Sequence, residues 1–138
     1  MADGREVLLG LDIGQRRIGV AWGDSIGRLA QPLTTLTVDG SEIDQLHALI
    51  ADREASALVI GLPRNQSGAE TAQSQSVRAF VAGPLRELRL PMHFQDESVT
   101  SVLAEEQLQQ RKKPFTKGDI DAVAASIILQ DYLEAQYG

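Results

Sequence analysis

The sequence predicts an α/β domain with a mixed five-stranded sheet, in which three antiparallel strands precede two parallel ones and helices flank both faces. Three observations predict this fold. Two apolar runs within residues 8–22 flank a glycine turn, as in a β-hairpin. Residues 57–60 form a short, wholly apolar segment, which is typical of a parallel strand buried on both faces. Segments with helical periodicity lie on both sides of that strand, so crossovers should connect it to its neighbours.

The hairpin at residues 8–22 carries one acid, Asp12, at the end of its first apolar run. Gly14 predicts the turn, because glycine adopts positive φ and lets the chain reverse directly. Burying a carboxylate is costly unless another group pairs with it. Packing alone therefore does not account for an acid at this position. The hairpin places Asp12 at the rim of the sheet.

The next segments complete an antiparallel meander and begin the crossovers. Residues 28–36 predict a third strand, and Pro32 favours an edge position for it. Ser41 and Asp44 have the spacing of a capping box, which predicts the start of a helix. Residues 56–62 contain the buried apolar strand.

A second helix is predicted over residues 70–88, with a kink or break at Gly83 and Pro84. Residues 90–94 predict a further strand that ends at the acids Asp96 and Glu97. A helix to about residue 110 follows it.

The last helix is predicted from residue 118 or 119 to about residue 135, with Asp121 in its first turn. The segments before it, from residue 111 to residue 117, form a basic loop that contains Pro114. No linker or internal repeat divides the chain, so we expect a single domain over residues 1–138.

Composition narrows the class of protein. The chain has 138 residues, no cysteine and a net charge of −6, and no apolar run is long enough to span a membrane. A cytoplasmic domain without membrane association is the simplest interpretation. The negative charge argues against a protein that coats nucleic acid non-specifically. The bases nevertheless cluster at residues 111–117 and at Arg16 and Arg17, which is compatible with an anionic partner on one face.

Acids follow two predicted core strands and begin the last helix, namely Asp12, Glu97 and Asp121. Strand ends in a mixed sheet can open on one edge, where ligands usually bind. Carboxylates that converge repel each other, and a divalent cation relieves this repulsion. Oxygen ligands favour Mg²⁺ or Mn²⁺. Two such ions about 3.5–4 Å apart can activate water against a phosphodiester.

Each acid alone also has a structural interpretation. Asp12 can accept hydrogen bonds within its turn. Glu97 and Asp121 suit the first turn of a helix, where the helix dipole favours negative charge. The functional hypothesis therefore depends on the three acids together, and whether Asp96 or Asp119 joins them is left open.

Four segments, in order along the chain, resemble the motifs of the YqgF/RuvX family, a group of RNase H-like nucleases. Residues 12–21 resemble the opening of that family. The second motif is matched by Gly61, Leu62, Pro63, Asn65 and Gly68, and the third by Asp96, Glu97, Thr100 and Ser101. The last helix of the family is matched by Lys117, Asp121, Ala124, Ala125, Ile128, Leu129, Tyr132 and Leu133. Two positions depart from the motifs: Ser67 stands where Asp is common, and Ser98 where Arg is common.

The resemblance implies an RNase H-like fold and a phosphodiester hydrolase assisted by Mg²⁺ or Mn²⁺, with Asp12, Glu97 and Asp121 as the metal-binding and catalytic acids. Bacterial members of the family are described as nucleases that mature the 5′ end of pre-16S ribosomal RNA, and earlier as Holliday junction resolvases. The expected partner is therefore pre-rRNA, in ribosomal precursor particles, or branched DNA. The sequence does not decide between a monomer and a homodimer.

Basic and polar side chains near the expected site are the candidates for nucleic-acid binding. They are Arg16, Arg17, Asn65, Lys112, Lys113 and Lys117. The arginines and lysines would hold phosphates and position the strand without reading its sequence.

Two other classes of function remain open at this point. An actin-like or sugar-kinase-like phosphotransferase also begins with a strand, an Asp-x-Gly and a hairpin, but it needs two related domains, and this chain has room for one. A non-catalytic RNA-binding or ribosome-assembly module would bind RNA without cleaving it. ATP-dependent stabilisation would favour the first class, and chelator-insensitive RNA binding without cleavage would favour the second.

Overall fold

The structure is a computed structural model that describes residues 4–65, 67–97, 100–111 and 114–138. The described residues form a five-stranded sheet, four α-helices and one 3-10 helix. The strands are β1 (Val7–Ile13), β2 (Arg17–Asp24), β3 (Gln31–Thr37), β4 (Ala57–Pro63) and β5 (Met92–Glu97). The helices are α1 (Glu42–Arg53), α2 (Ala72–Ala82), α3 (Thr100–Gln110) and α4 (Lys117–Tyr137), with the 3-10 helix at Pro84–Leu88.

The sheet is mixed, with the strand order β3-β2-β1-β4-β5. The first three strands pair antiparallel, and β4 pairs parallel with both β1 and β5. This topology confirms the predicted sheet and the edge position of β3. Because β1, β4 and β5 run in the same direction, their carboxyl ends lie at one edge of the sheet.

Helices cover both faces of the sheet, as predicted. On one face Leu9 and Leu11 of β1 share a buried core with Leu46 of α1 and Val77 of α2. On the other face Leu8 belongs to a second core formed largely by α4. The two cores follow from the alternation of side chains along a strand. The predicted helix break is also present, since α2 ends at Ala82 and the 3-10 helix begins at Pro84.

The close packing of α4 depends on glycines in the sheet. A Cβ atom at Gly10 would lie 2.7 Å from the Cβ atom of Leu129, which is closer than packed atoms approach. A Cβ atom at Gly19 would collide with the backbone carbonyl of Asp121. The absence of side chains at these two positions brings the start of α4 directly against β2 and its middle directly against β1.

Three local predictions were wrong. Gly14 is not among the residues with positive φ; its amide donates to the carbonyl of Arg17 at 2.9 Å, and a Cβ atom would lie 3.0 Å from that same oxygen. Glycine is therefore required there by close approach. The Ser41 side chain does not cap α1; its hydroxyl donates to the Asp39 carboxylate at 2.6 Å and accepts from the side-chain amide of Gln45 at 2.8 Å.

The third correction concerns the last helix, which begins at Lys117 with Thr116 as its N-cap. Asp121 is consequently in the second turn, so the favourable field at the helix N-terminus, which fades within the first turn, does not explain its charge. Among the described residues, no helix combines the length and apolar character needed to cross a membrane.

Candidate active site

The acids of β1 and β5 point to the same face of the sheet. Leu8 and Gly10 of β1 face α4, so Asp12, two residues further along, faces it as well. On β5 the ring of His93 stacks on Tyr132 of α4 with centroids 5.5 Å apart. Glu97 lies four residues after His93 and therefore shares that face. Both acids end parallel strands, which places them at one edge.

The third acid reaches this edge from α4. Asp12 pairs in register with Gly19 of β2, and the backbone of Asp121 rests directly against Gly19. Gly61 lies on β4, the strand between β1 and β5, and its missing side chain leaves room for the carboxyl group of Glu97: a Cβ atom at Gly61 would lie 3.3 Å from the carboxyl carbon. Close contacts at two glycines, Gly19 and Gly61, thus help to position Asp121 and Glu97.

The electrostatics of Asp12 show that the three carboxylates lie near one another. Its pKa is raised from 3.8 to about 7, first by burial and then by repulsion from Glu97 and Asp121. Burial disfavours the charged form of an acid, and neighbouring negative charges add to this effect. We call Asp12, Glu97 and Asp121 the acid cluster.

Arg17 supplies a cation to the acid cluster. It is the first residue of β2, and its Nε atom donates to Oδ2 of Asp121 in an ion pair. The sequence predicted Arg17 as a phosphate-binding residue and gave no indication of this pair, whose members are 104 positions apart. The positive charge of the guanidinium group partly offsets the negative charge of the acid cluster.

Two further acids that the sequence left open are engaged elsewhere. Asp96 precedes Glu97 on β5 and so faces the opposite side of the sheet, where its carboxylate accepts a hydrogen bond from Arg64 at 3.1 Å. Asp119 completes the N-cap of α4, because its carboxylate accepts from the amide of Thr116 at 2.8 Å.

The candidate nucleic-acid contacts lie in several places. Arg16 is exposed in the turn between β1 and β2, and Lys117 is exposed at the first position of α4. The side-chain oxygen of Asn65 accepts hydrogen bonds from the amides of Ser67 and Ala69, at 3.0 and 2.9 Å, so it organises its own loop. Lys112, Lys113 and Ser98 lie outside the described residues.

The acid cluster fits a divalent cation by its chemistry. Its donors are all carboxylate oxygens, and its excess negative charge adds to burial in raising the pKa of Asp12. In the described part of the chain, no three acidic, histidine or cysteine side chains are spaced to enclose an ion. Because Arg17 is ion-paired with Oδ2 of Asp121, a cation that engages all three acids would compete with this guanidinium group for that carboxylate.

Comparison with known proteins gives consistent matches over nearly the whole chain. The sequence model of the RuvX family, described as Holliday junction resolvase, matches residues 6–135. A relative from Rippkaea orientalis is 45% identical over 93% of this chain and 95% of its own length. A relative from Chloroflexus aggregans is 43% identical and covers 95% of each chain. The curated name of both is "Putative pre-16S rRNA nuclease".

Solved structures show the same fold at low sequence identity. Thermus thermophilus RuvC in complex with a Holliday junction substrate has a TM-score of 0.54, is 17% identical and covers 95% of both chains. The fowlpox virus resolvase bound to Holliday junction DNA has a TM-score of 0.52, is 12% identical and covers 96% of this chain and 99% of its own. These likenesses confirm the predicted RNase H-like fold.

Proposed function

The chain belongs to the RuvX family, and we propose that it is a divalent-metal-dependent nuclease that matures the 5′ end of pre-16S ribosomal RNA. The observation that carries the proposal is the acid cluster. A pKa of about 7 at Asp12 reflects burial next to two other carboxylates, which is unfavourable in a purely structural role. An ordinary packed core would place apolar groups at this position.

The cluster residues have distinct roles in this proposal. Asp12, Glu97 and Asp121 would hold Mg²⁺ or Mn²⁺, which would supply Lewis acidity and lower the pKa of water. Burial is the main cause of the raised pKa of Asp12, so a bound cation would stabilise the ionised form of this carboxylate. A cation at Asp121 would compete with this ion pair, and the released Arg17 guanidinium would be available to a phosphate oxygen.

Exposed cations near the cluster position the substrate strand. Arg16 lies in the β1–β2 turn, and Lys117 lies at the start of the helix that carries Asp121. Both are exposed, as contacts to a sugar-phosphate backbone require. Binding through these groups and through Lys112, Lys113 and Asn65 would be insensitive to base sequence and would weaken as salt rises.

Of the two candidate substrates, we favour RNA over a DNA junction because the relatives with the higher sequence identity carry an RNA-processing name. The proteins that are 43–45% identical over nearly their full length carry a pre-16S rRNA name. The junction-bound structures, at 12–17% identity, support the fold alone. A four-way DNA junction is the second candidate, because the family description names a Holliday junction resolvase. Symmetric cleavage of a junction would require a two-fold dimer, whereas RNA trimming does not, whether on free RNA or in a precursor particle.

The test is a cleavage assay on two substrates in parallel: an RNA that spans the 5′ end of the 16S precursor, and a four-way DNA junction. Each is incubated with Mg²⁺, Mn²⁺ or EDTA. Asp12→Asn, Glu97→Gln and Asp121→Asn should each reduce RNA cleavage roughly 100-fold or more, because each removes a charged ligand. Asp96→Asn is the matched control, since Asp96 neighbours Glu97 in sequence but faces the other side of the sheet.

The outcomes separate the candidate functions. Undiminished cleavage by Asp12→Asn would contradict the nuclease assignment. Preferred cleavage of the junction into two symmetric products would select the resolvase. RNA binding that EDTA leaves unchanged, with no cleavage of either substrate, would select the non-catalytic RNA-binding module. Stabilisation by ATP would select a phosphotransferase.

A further inference from the structure

A groove of about 680 Å³ lies beside the acid cluster, between the β1–β2 turn and helix α2. Asp121 and its ion-pair partner Arg17 line it, so the groove and the acid cluster share Asp121. Its volume is in the range of small-molecule sites, roughly 300–1,000 Å³. A substrate strand bound at the acid cluster would therefore have this groove beside it.

The floor of the groove is apolar. Ile13 and Val77 are 8% and 2% exposed, and both belong to the core between the sheet and α2. Phe80 and Val38 are partly buried, pack against the same core and also line the groove. The floor thus offers a fixed apolar surface with one aromatic ring, which suits a planar base.

The rim of the groove is polar and cationic. Gln15 and Gln73 are exposed on opposite sides, one in the turn and one in the first turn of α2. A carboxamide carries two donors and one acceptor, which match the hydrogen-bonding edge of a base. Arg16 and Arg17 stand at the same rim and complement a phosphate.

We propose that this groove binds one unpaired nucleobase of the substrate strand next to the scissile phosphate, with Phe80 as its apolar contact and Gln73 at its edge. This inference rests on the proposed nuclease function and specifies its substrate as a single-stranded segment. A paired base has its faces covered by stacking and its edge by its partner, so it enters such a groove only after it is flipped out. The two arginines favour this anionic ligand over a peptide.

The test uses short single-stranded RNAs that contain one cleavage site, each with an abasic residue at a different position around that site. The wild-type protein, Phe80→Leu, Gln73→Ala and the control Gln75→Ala are compared for cleavage, and for binding in EDTA by fluorescence anisotropy. Leucine keeps an apolar side chain against the core. Gln75 is exposed on the same helix but does not line the groove.

At one position next to the cleaved bond, the abasic residue should reduce wild-type binding and kcat/KM by roughly 5- to 100-fold, the value of one base–aromatic contact. Phe80→Leu and Gln73→Ala should have lower affinity and lower kcat/KM than wild type on intact RNA, and the same values as wild type on that abasic RNA. Gln75→Ala should behave as wild type on every substrate.

Two results would overturn the inference. In the first, no abasic position affects binding by the wild-type protein. In the second, the groove variants lose as much affinity relative to wild type on the abasic RNA as on the intact RNA. The binding measurement separates this inference from the proposed function. If RNA is not cleaved but an abasic position weakens binding, the nuclease proposal fails, and what stands is that the groove binds one unpaired base. If cleavage occurs without an abasic effect, the base site fails and the nuclease stands.

Discussion

Replacing Asp12 by asparagine should stabilise the metal-free protein at alkaline pH and do little at acid pH. Asparagine has nearly the shape of the protonated carboxyl group and carries no charge. Burial and the charges of Glu97 and Asp121 oppose ionisation of Asp12 in the folded protein, as its pKa of about 7 shows. The substitution removes the cost of this buried charge, and it also removes the proposed ligand.

The magnitude follows from the difference between the folded and unfolded pKa values, about 7 and 3.8. Below pH 3.8 the carboxyl is protonated in both the folded and the unfolded state, so its ionisation does not lower the free energy of unfolding. Between the two values only the unfolded chain ionises, so stability falls as pH rises. Above pH 7 the penalty is constant at about 4 kcal/mol, because each pH unit is worth ~1.4 kcal/mol. At pH 4.5 it is about 1 kcal/mol.

The assay is urea unfolding of the wild-type protein and Asp12→Asn in EDTA, at pH 8 and at pH 4.5. The variant should be more stable by up to about 4 kcal/mol at pH 8 and by about 1 kcal/mol at pH 4.5. Asp96→Asn is the control, because the side chain of Asp96 is 67% exposed and should change stability little at either pH. A difference between wild type and Asp12→Asn that is equal at both pH values would refute the electrostatic reasoning.

Three further predictions concern the residues that hold the cluster in place. Gly61→Ala should destabilise the fold by about 1–3 kcal/mol in urea unfolding, because its Cβ atom would collide with Ile128 on α4; an unchanged midpoint would contradict the packing account. Thr116→Ala should cost about 1 kcal/mol in the same assay through loss of the α4 N-cap, and Thr116→Ser should restore most of it. Arg17→Gln should lower the Mn²⁺ concentration that half-saturates cleavage and raise the KM for RNA, since the ion pair with Asp121 competes with the cation; an unchanged metal requirement would show that the pair does not compete.

The order of elements and the position of Asp12 could be predicted because they depend on local pattern. Alternation of apolar residues defines a strand, and a wholly apolar run such as that of β4 defines a strand buried on both faces. The edge position of β3 followed from Pro32, which cannot donate a hydrogen bond to a neighbouring strand. These signals lie within a few residues of the feature they predict.

The contacts that shape the cluster could not be predicted in the same way, because they join distant segments. The ion pair of Arg17 with Asp121 depends on how closely α4 packs on Gly19, and no local pattern encodes that approach. The groove floor likewise combines Ile13 and Val38 with Phe80 of α2. Three segments must fold before this surface exists.

Caps were predictable in principle, but two similar patterns had different outcomes. Thr116 and Asp119 form a capping box with the same spacing that was recognised at Ser41 and Asp44. At Ser41 the box does not form: its backbone has ψ −1°, in the helical region, whereas Thr116 has ψ 173° and is extended, as an N-cap residue typically is. The backbone conformation of the capping residue distinguishes the two sites.

The most direct test of the central claim is anomalous diffraction from crystals of the protein soaked in Mn²⁺. The account predicts anomalous peaks in contact with the carboxylates of Asp12, Glu97 and Asp121, with the Arg17 guanidinium withdrawn from Asp121, and no such peaks in crystals of Asp12→Asn. Absence of a peak at these carboxylates, at a Mn²⁺ concentration that supports cleavage in solution, would contradict it.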